Sequence, residues 1–80
     1  MNALIPTTAR PVKAVHRDGV IHVTLADDHT ISFPMNVSPR LAAATPAQLE
    51  NVELLPFTLH WPDVDEDITI ETLFELGYGR

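Results

Sequence analysis

Between Val12 and Leu25 apolar and polar residues alternate, broken once by Asp18-Gly19. Alternation of period two marks strands, and an Asp-Gly pair between two of them marks a two-residue hairpin, because both turn positions need positive φ. The pattern predicts strands over residues 12–17 and 20–25. Pairing Arg17 with Val20 sets His16 opposite Ile21, Ala14 opposite Val23 and Val12 opposite Leu25. One face is then apolar, while Lys13, Arg17, His22 and Thr24 crowd the other.

A third strand is expected over residues 30–35. A two-residue loop at Asp27-Asp28 would turn Ile31 and Phe33 to the polar side. A three-residue loop of Asp27, Asp28 and His29 aligns Leu25 with Ile31, Val23 with Phe33 and Ile21 with Met35, and leaves His29 in the left-handed position that closes the turn. Two short helices follow. Ser38 caps the first, with Pro39 at its first position. Thr45 and Gln48 form a capping box around Pro46 for the second.

Extended chain returns from Val52 to Trp61, where Pro56 cannot donate to a ladder, so the segment is an edge strand, a bulged strand or two short strands meeting there. Ile70, Leu73 and Phe74 then give helical spacing, for a closing helix over residues 68–76 capped by Thr69 or Asp67 and stopped by Gly77. The reading is an α+β fold in two layers: a three-stranded antiparallel meander, short helices, a returning strand and a C-terminal helix. Residues 1–11, with two prolines and no apolar periodicity, read as a loose arm ahead of a single domain over 12–80.

Eighty residues support one core, and a chain this short buries only roughly 60 to 65% of the surface its unfolded form exposes, so a partner or a second copy would add stability. There is no cysteine, hence no disulfide framework and no thiolate zinc site. That composition suits a reducing, cytoplasmic setting, and neither a signal peptide nor a run of apolar residues long enough to span a membrane is present. The net charge of −6, with scattered Lys and Arg, argues against direct nucleic-acid binding. The same charge would steer the molecule toward a basic protein surface, and it also serves solubility.

Two stretches carry a resemblance: Pro39-Arg40-Leu41 with Ala44-Thr45-Pro46-Ala47-Gln48-Leu49-Glu50-Asn51, and His60-Trp61-Pro62-Asp63-Val64-Asp65-Glu66-Asp67-Ile68. Together they resemble the bacterial family known as domain of unknown function 2442, over nearly the whole ordered chain. The resemblance implies a small α+β fold led by a β-meander, and no assigned activity. Some relatives carry a helix-turn-helix domain after it, and members stand beside another small uncharacterised family in an arrangement that looks like toxin and antitoxin pairs. This chain departs from the family pattern at Asp28, where relatives usually have glycine, and at Val52, in place of a frequent tryptophan.

The segment His60, Trp61, Pro62, Asp63, Asp65, Glu66 and Asp67 concentrates the potential chemistry. Carboxylates at 63, 65 and 67 imitate the start of a calcium loop, but Ile68 stands where that loop needs glycine and Phe74 where it needs a bidentate glutamate. No metal site is expected. Two readings of the segment stay open. In one, Asp65, Glu66 and Asp67 precede a helix N-terminus and interact with its free N–H groups, while Trp61-Pro62 anchors the loop. In the other, Trp61 and the carboxylates form an exposed surface for a basic partner.

His16, His22, His29 and His60 lack metal-ligand spacing, and His16 and His22 fall on opposite faces of the hairpin. Ser32 and Ser38 lie in no nucleophile motif, and the three glycines form no phosphate loop. The expectation is a non-catalytic protein-binding or regulatory module without cofactor: an antitoxin-like acidic partner in a two-gene pair, with a homodimer through the edge around residues 52–59 as a further form. The alternatives are the sensing domain of a DNA-linked regulator lacking its helix-turn-helix, and a minimal enzyme using Asp63 or His60.

Overall fold

The computed structural model describes residues 9–79. Strands β1 (Pro11–Arg17), β2 (Val20–Leu25) and β3 (Thr30–Pro34) form an antiparallel meander in the order β1-β2-β3. Asp18 and Gly19 have φ of 53° and 81°, the double left-handed turn that an Asp-Gly pair favours. Arg17 pairs with Val20, His16 with Ile21 and Ala14 with Val23, as the alternation predicts.

The far end of β1 differs from expectation. Pro11, not Val12, stands opposite Leu25, and a bulge separates it from Lys13. Pro11 is buried, whereas Val12 is 48% exposed. A proline at the start of an edge strand costs the ladder nothing, since its missing N–H would face away from the partner strand. Ala9 is also buried, so packing begins before residue 12; the rest of the expected arm, residues 1–8, lies outside the described residues.

The β2–β3 loop has three residues, but they are Ala26, Asp27 and Asp28. The Leu25 N–H donates to the His29 carbonyl (2.8 Å), and Asp28, not His29, takes the left-handed position with φ 72°. The pairing slides by two, setting Val23 opposite Ile31 and Ile21 opposite Phe33, while Met35 leaves the strand for a short 3-10 turn. A slide of two preserves the faces, so Ile21, Val23, Ile31 and Phe33 still share one buried side. Asp27 favours the earlier loop because its carboxylate accepts from the His29 backbone N–H at 3.0 Å.

Helices α1 (Pro39–Ala42) and α2 (Pro46–Glu50) start where expected: the Ser38 hydroxyl accepts from the Leu41 N–H, and Thr45 and Gln48 form the reciprocal capping box. In place of one returning strand the chain then forms a second antiparallel meander, β4 (Glu53–Leu55), β5 (Thr58–Trp61) and β6 (Glu66–Thr69), in the order β4-β5-β6. Pro56 and Phe57 make the first turn, with Phe57 at φ 63°. Ile68 thus belongs to a strand, and the closing helix α3 (Ile70–Glu75) begins two residues later, capped by Thr69. Gly77, at φ 94°, ends it: the Tyr78 N–H reaches the Leu73 carbonyl (2.9 Å) and the Gly77 N–H that of Phe74 (3.0 Å).

Both sheets and all three helices contribute to one core. Ile21, Val23, Ile31 and Phe33 of the first sheet meet Leu41, Leu49, Leu59, Trp61, Ile70 and Leu73. Phe33 also meets Tyr78, with ring centroids 6.2 Å apart at a tilt of 50°.

Candidate functional site

The tryptophan and carboxylate segment is the β5–β6 hairpin. Its alternation decides which residues turn inward: Leu59, Trp61, Glu66 and Ile68 face the core side, and His60 and Asp67 face outward as a directly opposed pair. Asp65 holds the turn between the strands in a left-handed conformation, φ 54°. The carboxylates therefore do not precede a helix: Asp65 lies in a turn, and Glu66 and Asp67 in a strand. The helix N-terminus expected to hold them is served by Thr69.

Trp61 is fully buried and its indole N–H donates to the Leu49 carbonyl at 3.1 Å. That carbonyl belongs to the last turn of α2, where helix geometry leaves carbonyls without intrahelical partners. The indole thus satisfies two groups at once, and Trp61 is no exposed anchor. The other side chains are held separately. Asp63 accepts from the Asn51 amide at 2.9 Å. The Arg40 guanidinium donates to the Asp65 backbone carbonyl at 2.6 Å, with the Asp65 carboxylate 3.6 Å away. Glu66 accepts from the Ser38 hydroxyl, and Ser38 is itself buried. Pro62 lies exposed in the turn.

Asp63, Asp65 and Asp67 consequently point to different partners. Among the described residues no group of three or more His, Asp or Glu side chains is placed to hold a metal ion.

The outer face of the second sheet carries the remaining charge pattern. Glu53, His60 and Asp67 form one row across β4, β5 and β6. His60 Nδ1 is hydrogen-bonded to Asp67, and its Nε2 lies 4.0 Å from Glu53. The hydrogen bond to Asp67 raises the His60 pKa above the usual 6.5, helped by the charges of Asp67, Glu53 and Asp65 and opposed by partial desolvation. The adjacent row is Leu55, Thr58 and Thr69, with Leu55 44% exposed.

Ser38, Arg40, Leu49, Asn51 and Glu53 are partners of this segment that residue spacing does not reveal. A signal for the outer face was nevertheless present. Eight of the eleven acidic residues lie between Glu50 and Glu75, and no Lys or Arg occurs from Leu41 to Gly79.

A family model described as "Protein of unknown function (DUF2442)" matches residues 11–79. A crystal structure of a protein of unknown function from Rhodospirillum rubrum is similar, with a TM-score of 0.76 and 29% identity over 89% of this chain and 90% of that one. An uncharacterised protein from Chromobacterium violaceum, solved in solution by NMR, has a TM-score of 0.76 and 25% identity over 89% of this chain and 69% of that one. No curated protein matches the chain. No helix among the described residues is long and apolar enough to cross a membrane.

Proposed function

The chain belongs to the DUF2442 family, and from that premise we propose that it is a non-catalytic protein-binding module, the antitoxin-like acidic partner of a two-gene pair, working in the cytoplasm. The observation that carries this reading is the segregation of charge. The second sheet and its flanking turns collect exposed carboxylates, among them Glu53, Asp65 and Asp67, in a stretch of chain with no Lys or Arg. A sheet face with two carboxylates in one row and an exposed leucine beside it fits a partner surface bearing Lys or Arg around an apolar contact.

The distribution of partners within the segment from His60 to Asp67 supports the same division of labour. Trp61, Asp63 and Glu66 are committed to Leu49, Asn51 and Ser38, so they fasten the helices to the second sheet. Glu53 and Asp67, on either side of His60, are the outward carboxylates left to face a partner, while Asp65 stands beside Arg40.

Co-expression with the product of the neighbouring gene tests the reading. The two proteins are expected to co-purify at about 0.1 M salt and to separate above about 0.5 M, because exposed charge pairs are screened over such distances. Replacing Glu53 and Asp67 by Lys should abolish capture while leaving the fold intact. Failure to associate, or a complex indifferent to both salt and the double substitution, would exclude this face as the docking surface. A mobility shift with duplex DNA at low salt would instead favour a DNA-linked regulator.

A further inference from the structure

We propose that His60 is a proton-controlled occupant of this face: when protonated it neutralises the row between Glu53 and Asp67, and when neutral it leaves those carboxylates to a basic partner. The inference rests on the docking face described above and adds its regulation.

Its basis is the register. β5 is the central strand, Glu53 and Asp67 sit opposite His60 on either side, and all three share one face. The two ring nitrogens diverge, Nδ1 toward Asp67 and Nε2 toward Glu53. An imidazolium carries an N–H on each nitrogen and can serve both carboxylates, whereas a neutral imidazole has one proton for the two. The charged groups around it are Glu53 on β4, Asp67 on β6 and Asp65 in the β5–β6 turn, all negative, with the Arg40 guanidinium 3.6 Å beyond on the Asp65 carboxylate. The neighbouring row of Leu55, Thr58 and Thr69 contributes no charge. His60 is therefore the one group of this row that brings positive charge, and a quarter of its side chain is exposed to exchange protons with solvent.

The sign follows from the raised pKa. The attraction between imidazolium and carboxylates is fully present below the unfolded-state pKa and is lost as pH rises through the higher folded-state value. A bound cation would compete with the proton, so affinity for a basic partner should rise as the pH climbs through that raised value.

Two measurements on the full chain test this. NMR titration of the His60 ring should give a midpoint above about 6.5 that falls in Asp67→Asn. Binding of fluorescein-labelled octalysine should be about two- to fivefold tighter at pH 8 than at pH 6, and His60→Gln should bind at both pH values much as the wild type does at pH 8. An ordinary midpoint for His60, or an undiminished pH effect in His60→Gln, would overturn the inference and leave the acidic face standing. Octalysine affinity unchanged by Glu53→Gln with Asp67→Asn would overturn the docking face itself, while the ring titration still reports on the row.

Discussion

Ser38 and Glu66, 28 positions apart, meet through one hydroxyl: Oγ–H donates to the Glu66 carboxylate while the oxygen accepts from the Leu41 N–H, 3.4 Å away. The same small side chain therefore starts α1 and ties it to β6. Around it stand Arg40 with Asp65, Asn51 with Asp63 and Leu49 with Trp61. The two stretches of sequence that carry the family resemblance are thus the two sides of a single joint, which accounts for a motif that looks chemical and acts as scaffold.

Removing the shared hydroxyl should show both of its roles. Ser38→Ala is expected to destabilise the protein by about 1 to 3 kcal/mol, combining a lost helix cap with a half-buried carboxylate deprived of its donor. Urea unfolding measures it. In a double-mutant cycle with Glu66→Gln the losses should be less than additive; strict additivity would mean that the two residues do not interact.

Trp61→Phe keeps most of the aromatic packing but strips the N–H from the Leu49 carbonyl. A loss of about 1 to 2 kcal/mol is expected, against about 3 to 5 kcal/mol for Trp61→Ala, which also opens a cavity. Calorimetric melting of the two variants separates the contributions. Equal losses would assign the effect to the hydrogen bond, and no loss in Trp61→Phe would assign it to packing.

Gly77 ends α3 at φ 94°, and a methyl group added there meets nothing within 4 Å. Gly77→Ala should therefore cost about 1 kcal/mol through backbone conformation alone. A drop in melting temperature without any change at the Phe33–Tyr78 contact is the expected result, read from the aromatic NMR signals.

Asp27 governs acid stability at the β2–β3 loop. The His29 backbone N–H, and then its side chain, hold the Asp27 carboxyl below its usual 3.8. A depressed pKa contributes stability that is present above the unfolded value and is lost as pH falls through the folded one, so the window lies below about pH 4. Asp27→Asn should flatten the melting curve against pH in that window and leave the slope above pH 5 unchanged.

What could be read from sequence was local. Asp18-Gly19, the Thr45 and Gln48 capping box and Gly77 all act within a few residues, and all formed as their chemistry requires. The misses came where two local choices were nearly equivalent. Pro11 and Val12 can each face Leu25, and a bulge decides between them. Asp28 and His29 can each close the loop, and the Asp27 carboxylate selects the earlier one.

Pro56 marked the place where two short strands could meet, and β4 and β5 do meet there, but Phe57 has no intrinsic left-handed preference, so their folding back as a hairpin was not announced. Ile68 fits helical spacing and strand alternation alike, and pairing with Leu59 settles it. The site was legible as a string of residues but not as an arrangement. Contacts such as Arg40 with Asp65 depend on tertiary packing, and the burial of Trp61 decides for the reading in which it anchors the loop to the core over the one in which it is exposed.

Because the chain has a single tryptophan, one indole N–H resonance reports directly on this joint. Its hydrogen exchange in the native protein should be slow, limited by global unfolding and matching the most protected backbone amides of β2. An indole proton that exchanges within seconds under conditions where the β2 amides stay protected would place Trp61 in solvent and contradict the scaffold assigned to the segment.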